Sequence, residues 1–482
     1  MARSAPSFIV RPAATGIGGG WIGGMTTAAA NGIIRTAPHC GATPSAPGGG
    51  LPHLALVGAL TAALTLATPF AFRAGGDNLY MAFAVATGLV TIAATVVAER
   101  TRSAHAIWLI IGIAVGLRAI LLLIHPLLST DIYRYVWDGM VQAAGHNPYR
   151  YFPADDALAP LRDAAIYPNI DRAGTAVTAY PPVAQMFFLA ATRFGANVTA
   201  MRLALLACEA ATVTFIILML RRLGRPATRV VAYLWHPLPM WEIANSGHAD
   251  ALMVALMMFG LWLAVAGRRL PGAISIALAA LVKPFAAVAL AATWRPWDWK
   301  TPLAVLAVVA LCYAPYLSVG WGVFGFLTTG YLQEQGYDDG AYLWPLAALR
   351  WIVGVLPGDV VVYEAATALA IGALALRTAC RTAKSIETML PDVATLLLVT
   401  MLLLSPNYPW YFLILTPFVA LVGGAPLWAV TIAAIFLQRE TMWDPVVPLL
   451  VRKSVIYGLV LLACAHAAWR ARREGCLVSR PG

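Results

Sequence analysis

Long apolar runs alternate with short polar segments from residue 51 almost to the C-terminus. A helix needs about 20 mainly apolar residues to cross the hydrocarbon core of a bilayer, and runs close to that length recur along the chain. The pattern therefore predicts an all-α polytopic integral membrane protein with about twelve transmembrane helices, outer-face loops and interfacial helices. The predicted spans are 51–73, 79–98, 106–124, 200–220, 229–245, 249–266, 301–318, 359–377, 392–405, 409–423, 425–437 and 446–469.

Three apolar stretches do not fit a simple crossing. Residues 182–195 and 341–356 are predicted to lie at the membrane interface. Residues 270–293 are predicted to turn back without crossing, because Lys283-Pro284 interrupts them and proline breaks a helix interior.

The two ends of the chain are expected to lie outside the transmembrane domain. Residues 1–50 are rich in Gly, Ala and Pro, contain no acidic residue and lack the continuous apolar core of a secretory signal. We expect a disordered cytoplasmic extension there, with Met25 as an alternative start. The transmembrane domain is predicted at 51–473, followed by a cytoplasmic tail at 474–482.

Composition excludes a soluble globular protein, since 60% of the residues are hydrophobic and 11% are charged. The net charge of +11 does not indicate nucleic-acid binding, because the basic residues fall in short clusters between apolar runs. The six cysteines form no C-x-x-C pair, so neither a zinc site nor a disulfide framework is predicted.

Basic clusters predict the orientation, because short loops rich in Lys and Arg stay in the cytoplasm. The clusters assigned to the cytoplasm are Arg100 with Arg102, Arg221 to Arg229, Arg268 with Arg269, Arg377 to Lys384, and Arg470 to Arg473. Both termini are then cytoplasmic, in an inner membrane, and the third span runs outward. Four polar segments meet at the outer face: "DIYRYVWDGMVQAAGHNPY", "WEIANSGHAD", "YLQEQGYDDGAYLW" and "LLSPNYPWYF". Ionisable groups are costly near hydrocarbon, so their convergence indicates a site.

The succession "DIYRYVWDGMVQAAGHNPY", "AYPPVAQMFF", "HPLPMWEIANSGHADAL", "LVKPF" and "SPNYPWYF" resembles the GT-C superfamily of membrane glycosyltransferases. The likeness is to polyprenol-phosphomannose-dependent mannosyltransferases and to glycosyltransferase family 87, over roughly residues 100–430. It implies transfer of a hexose, with mannose as the first expectation, from a polyprenyl-phosphate-linked donor to an acceptor hydroxyl. The chain departs from the family plan in having two apolar spans before the helix that leads to the catalytic loop.

The resemblance implies a catalytic aspartate at Asp131, just beyond the third span. Sugar transfer to a hydroxyl requires a base that takes the acceptor proton. Asp138 is the alternative base, because it lies two helical turns further on and shares a helix face with Asp131. A structural alternative for Asp131 is to cap the helix that begins at Ile132.

Holding a phosphate and a sugar requires further polar groups. The phosphate candidates are Arg118, Arg134, His248 and Lys283, and the sugar or acceptor candidates are Tyr180, Glu242, Asn245, Asp250, Asn407 and Tyr408. Several have structural alternatives: Arg118 in a buried ion pair, Asp250 as a helix cap and Tyr408 in an interfacial aromatic belt. The predicted topology places Lys283 nearer the cytoplasmic side than a phosphate ligand on the outer face requires.

No cofactor and no metal site is predicted, since no tight ligand triplet accompanies His248. The expected partners are a polyprenyl-phosphate-linked sugar donor, a lipid or glycan acceptor and membrane lipids, without nucleic acid. Two alternatives stay open at this point. One is a lipid or glycolipid transporter or flippase, for which we find no internal repeat. The other is a glycan polymerase or ligase that uses a diphosphate-linked donor.

Overall fold

The computed structural model describes residues 50–325, 330–381, 385–438 and 446–478. Residues 1–49 and 479–482 lie outside the described residues, so the expectations for the N-terminal extension and for the end of the tail stay predictions. Over the described ranges helices are the only regular secondary structure, and no strand is present. The predicted all-α class is confirmed.

Most of the helices are joined by short connections, and a long one at residues 144–181 contains two 3-10 segments. The α-helices are α1 Leu51–Arg100, α2 Ala106–Leu122, α3 Asp131–Ala143, α4 Pro182–Thr192, α5 Val198–Arg222, α6 Val231–Leu234, α7 Asp250–Val265, α8 Arg269–Ala280, α9 Lys300–Tyr313, α10 Tyr331–Glu334, α11 Trp344–Val353, α12 Asp359–Cys380, α13 Ile386–Leu404, α14 Thr416–Leu421, α15 Ala425–Ala433 and α16 Val446–Val478. The 3-10 segments are Asp156–Leu161, Tyr167–Asn169, Ala227–Val230, Pro284–Ala292, Ala314–Phe324, Pro409–Leu415 and Ala434–Leu437, and Pro239–Asn245 is a π-helix.

Within the described ranges, six helices are long and apolar enough to cross a membrane, or up to seven if the bent pair at Pro239–Asn245 and Asp250–Val265 is one span. The first of them, α1, has non-helical backbone at Gly75 and Gly76, where the φ of Gly76 is +59°. Glycine adopts this conformation without steric penalty, so α1 consists of two consecutive legs, as predicted. The predicted number of about twelve spans is reached only when the shorter apolar helices are included.

One predicted span is wrong. Residues 229–245 do not form a continuous helix but a 3-10 turn, one turn of α-helix and a π-helix. Pro237 and Pro239 explain the break, because a proline inside a helix removes a backbone donor and clashes with the preceding turn. The predicted break at Lys283-Pro284 is present: α8 ends at Ala280, and Lys283 has extended backbone before a 3-10 segment.

Arg118 lies inside the helical core and not at a ligand site. Its guanidinium donates to both carboxylate oxygens of Glu209 at 2.7 and 2.6 Å, and to the carbonyl of Leu234 at 3.0 Å. Both side chains of the pair are buried. Arg118 therefore takes its structural alternative, a buried ion pair, and the expectation that it holds phosphate is corrected.

Two buried side chains fix the segment that leads into α3. Arg202 donates to the carbonyls of Leu121, Ile124 and Ala244. The Asn245 side chain accepts from the backbone N–H of Leu127 at 2.9 Å and donates to the carbonyl of His125 at 3.1 Å. These bonds satisfy backbone groups that helix ends leave unpaired. They also join the end of α2 to the π-helix, and so determine where α3 begins.

Removal of one partner of the Arg118 pair is expected to destabilise the protein. Arg118→Met leaves the buried carboxylate of Glu209 without its cation, which typically costs about 3–5 kcal/mol. We expect a clearly lower thermal unfolding midpoint in detergent micelles. The double variant Arg118→Met, Glu209→Met is the matched control and should recover most of the loss. An unchanged midpoint in the single variant would contradict the structural role.

Candidate active site

A cavity of about 660 Å³ opens among segments that are distant in sequence. Its lining residues come from 126–134, 171–181, 282–285, 331–337 and 404–411, together with Gln438. This volume is within the usual range for small-molecule sites. Four of the five segments that carry the resemblance thus meet at one cavity, those that contain Asp131, Tyr180, Lys283 and Tyr408. Residues 241–250, in the fifth segment, lie behind the cavity wall.

Asp131 begins α3 and reaches the cavity, with 28% of its side chain exposed. Its Oδ2 accepts a hydrogen bond from the Tyr180 hydroxyl at 3.2 Å and lies 3.7 Å from Nδ1 of His248. The N-cap residue of α3 is Thr130, and α3 has no side-chain cap hydrogen bond. Helix capping therefore does not account for the carboxylate of Asp131.

The surroundings of Asp131 favour a proton on its carboxylate more than water does. Burial raises the pKa of Asp131 above its ordinary value, and the positive charges of Lys283 and Arg172 oppose this shift only in part. Burial also raises the pKa of Tyr180 well above its ordinary value, so this hydroxyl keeps its proton and remains a donor to Asp131. A carboxylate with a raised pKa is suited to acid–base chemistry.

Asp138 does not share the position of Asp131. It is buried, and it accepts from Nε of Arg134 at 2.8 Å and from the side-chain amide of Gln185 at 2.9 Å. Arg134 lines the cavity and also donates to the carbonyl of Ala176 at 3.1 Å. Asp138 therefore orients Arg134 in the cavity wall, and its own carboxylate does not face the cavity.

Lys283 lies in the cavity lining, so its expected depth on the cytoplasmic side of the site is wrong. Its Nζ is 2.5 Å from Oδ2 of Asp250 and 4.7 Å from the centre of the Tyr411 ring. The chain break before Pro284 carries Lys283 out of α8 and into the same space as Asp131. Asp250 is fully buried behind it. Asp250 therefore acts as the ion-pair partner of Lys283 and does not face the cavity.

The polar segment 241–250 was expected to contact the sugar and, through His248, the lipid phosphate, and the structure places it behind the cavity wall. Glu242, Asn245 and His248 are fully buried, and none of them lines the cavity. The amide of Asn245 is engaged by backbone groups, as described above. His248 stacks on Trp410 with ring centres 4.2 Å apart, which puts an aromatic ring between the imidazole and the cavity.

Aromatic side chains form one wall of the cavity. Tyr408 stacks on Trp410 with ring centres 4.4 Å apart, and the hydroxyls of Tyr331 and Tyr411 are 2.6 Å apart. Flat aromatic faces with hydroxyls at their edges suit a sugar ring. Asn407, in contrast, is buried, donates to the carbonyl of Gln335 and accepts from Lys453. Tyr408 faces the cavity and Asn407 does not.

The sequence did not single out Arg172, which lines the cavity and forms an ion pair with Glu334. Glu334 also accepts from the Tyr408 hydroxyl at 3.3 Å, and Asp171 accepts from Thr130 at 2.5 Å. One signal was available: the predicted topology places Arg172 in an outer loop, against the positive-inside tendency. An arginine that departs from that tendency is a candidate for a specific role.

The cavity combines three carboxylates, those of Asp131, Asp171 and Glu334, with several cations and an aromatic wall. Among the described residues, no group of three or more His, Cys, Asp or Glu side chains is arranged to hold a metal ion. Proton abstraction by Asp131 and charge stabilisation by Lys283, Arg134 and Arg172 are the chemistry that this arrangement supports.

Comparison with known proteins points to one family. Residues 37–297 match the family described as alpha-(1->6)-mannopyranosyltransferase, N-terminal domain, which is just over half of the 482 residues. Alpha-(1->6)-mannopyranosyltransferase A of Mycobacterium tuberculosis (strain ATCC 25618 / H37Rv) is 30% identical over 188 residues, 37% of this chain and 34% of that protein. The chain thus matches about a third of the length of this relative. The family match contains Asp131, Tyr180 and Lys283, and ends before Glu334 and Trp410.

Asp131 is expected to react selectively with dicyclohexylcarbodiimide, an apolar reagent that attacks protonated carboxyl groups. Its raised pKa means that labelling should increase as the pH is lowered, at pH values where an ordinary aspartate is still ionised. Mass spectrometry of proteolytic peptides locates the adduct, and Asp131→Asn should remove it. A main adduct on Glu334 or Asp171 would contradict the assignment of Asp131 as the protonatable carboxylate of the cavity.

Proposed function

Because this chain belongs to the alpha-(1->6)-mannopyranosyltransferase family, we propose that it transfers mannose from a polyprenyl-phosphate-linked donor to a hydroxyl of a cell-envelope acceptor. Asp131 is the general base, and the transmembrane domain at 51–473 is the catalytic unit. The reaction takes place at the outer face of the inner membrane, with both termini in the cytoplasm. The observation that carries the proposal is the meeting of Asp131 and Lys283 in one cavity.

The two ends of a lipid-linked donor suit different parts of the cavity lining. Leu127, Leu128, Val282 and Phe285 are apolar, as a prenyl chain near its phosphate requires. Lys283 lies within this apolar part, where a cation interacts strongly with a phosphate because the surroundings contain little water. The aromatic wall adjoins this part, since Phe285 packs edge-on against Tyr411 with ring centres 5.3 Å apart. In that wall Tyr408 offers its ring to the sugar.

The proposed step needs one base and a stabilised leaving group. Asp131 takes the proton of the acceptor hydroxyl while that oxygen bonds to the anomeric carbon of the sugar. The bond from the anomeric carbon to the phosphate oxygen breaks, and its electron pair stays with the phosphate. Lys283 and Arg172 stabilise the negative charge of the departing polyprenyl phosphate.

A single displacement fits the carboxylates better than a double displacement. A double displacement needs a second free carboxylate close to the first. Of the other two carboxylates of the cavity lining, Glu334 is paired with Arg172 and Asp171 accepts a hydrogen bond from Thr130, whereas a single displacement needs Asp131 alone. One displacement inverts the anomeric centre, so a β-linked donor would yield the α linkage that the family description names.

Replacement of Asp131 by asparagine is expected to lower turnover by about 10²–10⁴-fold, the usual contribution of a positioned general base. Release of free polyprenyl phosphate from polyprenyl-phosphate mannose is measured in liposomes that contain the purified protein and envelope acceptors. Asp171→Asn is the matched control, because Asp171 lines the same cavity but accepts a hydrogen bond that asparagine can also accept. We expect that variant to stay within about tenfold of the wild type.

Two outcomes would contradict parts of this proposal. Equal rates for the wild type and Asp131→Asn, with both proteins folded, would move the base to another residue. A wild type that releases no lipid phosphate from any monophosphate-linked sugar, over a broad acceptor pool, would exclude this donor class and favour a diphosphate-linked donor.

The pH dependence of the reaction should follow the ionisation of Asp131. Only the deprotonated carboxylate can take a proton, so kcat/KM falls as the pH is lowered through its pKa. Burial raises this pKa, which places the acid limb above the ordinary aspartate value of about 3.9. The residual rate of Asp131→Asn should lack this limb. A wild-type profile that stays flat down to the ordinary value would argue against Asp131 as the base.

A further inference from the structure

A buried imidazole connects Asp131 to a second carboxyl group, and its meaning depends on the function proposed above. Nδ1 of His248 is 3.7 Å from Oδ2 of Asp131, and Nε2 of His248 is 3.2 Å from Oε2 of Glu242. His248 and Glu242 are fully buried, whereas Asp131 is open to the cavity. The three side chains form a chain of contacts that leads from the cavity into the protein.

Each inner group of this chain is close to the next but lacks a regular hydrogen bond, and the charges of Asp250 and Lys283 also act on Glu242. Neither nitrogen of His248 and neither carboxyl oxygen of Glu242 has a hydrogen-bond partner with good geometry among the described residues. A buried polar group without a partner is strongly destabilising. Trp410 stacks on the imidazole and separates it from the cavity. The unsatisfied groups therefore face one another and not the substrate.

The charges around His248 restrict the protonation of this chain. Lys283 is the nearby cation, and it already contacts Asp250 at 2.5 Å. If both Asp131 and Glu242 were ionised, two carboxylates would flank the imidazole with little water to screen them, which is unfavourable. A neutral Glu242 avoids this arrangement, since its O–H group can donate to Nε2. The histidine proton then resides on Nδ1, directed at Asp131.

We propose that Glu242, as the neutral acid, donates to Nε2 of His248 and so makes Nδ1–H a donor to Oδ2 of Asp131. Glu242 and His248 are thus positioning residues for the base and not sugar or phosphate ligands. Tyr180 donates to the same oxygen, Oδ2. Oδ1 of Asp131 is left to take the acceptor proton, and the donated hydrogen bonds keep the carboxylate ionised at a lower pH.

Two substitutions at Glu242 separate this arrangement from simple packing. Glu242→Gln keeps the shape and an N–H group that can donate to Nε2, whereas Glu242→Met keeps the volume and removes the donor. We expect Glu242→Gln to remain within a few fold of wild-type turnover. Glu242→Met should lower kcat by up to about 100-fold through misplacement of the base, with little change in the KM for polyprenyl-phosphate mannose.

The pH profile provides a readout that packing alone does not move. Loss of the donor to Oδ2 should raise the pKa of Asp131, so the acid limb of kcat/KM should move to higher pH in Glu242→Met but not in Glu242→Gln. The other titratable or charged groups that act on Asp131 are Lys283, Arg172, Asp171 and Glu334, and both variants leave them unchanged. Thermal unfolding midpoints and gel filtration confirm that the variants are folded.

The same experiment separates failure of this inference from failure of the proposed function. If Asp131→Asn abolishes turnover while Glu242→Met keeps the wild-type rate and acid limb, the positioning role is overturned and the base remains. If Glu242→Gln loses as much as Glu242→Met, Glu242 acts as an ionised acceptor and the proposed tautomer is overturned, since an amide donor then enforces the wrong tautomer.

If the wild type shows no turnover with this donor, the inference can still be tested by a measurement that does not depend on turnover. The pH midpoint of carbodiimide labelling at Asp131 should rise in Glu242→Met and remain unchanged in Glu242→Gln. This result would support the donor chain whatever the protein transfers. Identical midpoints in all three proteins would overturn it.

Discussion

Backbone groups that are released where helices break inside an apolar protein must find partners within the protein, because hydrocarbon offers none. The site of this protein depends on that constraint. Arg202 donates to carbonyls at the end of α2 and in the π-helix, and Asn245 bonds the segment between α2 and α3. Lys453 donates to the carbonyls of Tyr342 and Ser405, where Ser405 has a positive φ. The breaks are held in one arrangement, and the cavity lies among them.

The second organising feature is that each cation at the cavity has an acidic partner. Lys283 pairs with Asp250, Arg134 with Asp138, and Arg172 with Glu334. A charge in surroundings of low dielectric is strongly unfavourable without such a partner. The partners also fix the direction of each cation before a ligand arrives, and preorganised charge is what an enzyme needs where negative charge develops. Stability and the proposed chemistry therefore use the same pairs.

Sequence reasoning located the cavity better than it assigned individual roles. Asp131, Tyr180, Lys283 and Tyr408 were predicted from motif segments, and all of them line the cavity. Asn245 and Asn407 come from the same kind of segment, yet each is used to hold backbone or buried side chains. A polar residue at a helix break either binds a ligand or forms hydrogen bonds with the backbone groups that the break leaves unpaired. The two uses have the same sequence pattern, so a motif alone does not separate them.

The sequence by itself determined the class of the protein and most of its breaks. Apolar runs of membrane-spanning length dictate helices, and the breaks at the glycines 75–76 and at Pro284 were predicted, whereas the break at Pro237 and Pro239 was missed. The tertiary structure decided that Asp131 and not Asp138 of α3 reaches the cavity, that Lys283 lies beside Asp250, and that Arg118 pairs with Glu209. The physical reason is the separation along the chain over which each interaction acts. Helix propensity and proline geometry act over a few neighbouring residues, whereas an ion pair or an exposed carboxylate depends on the packing of segments that lie far apart in the chain.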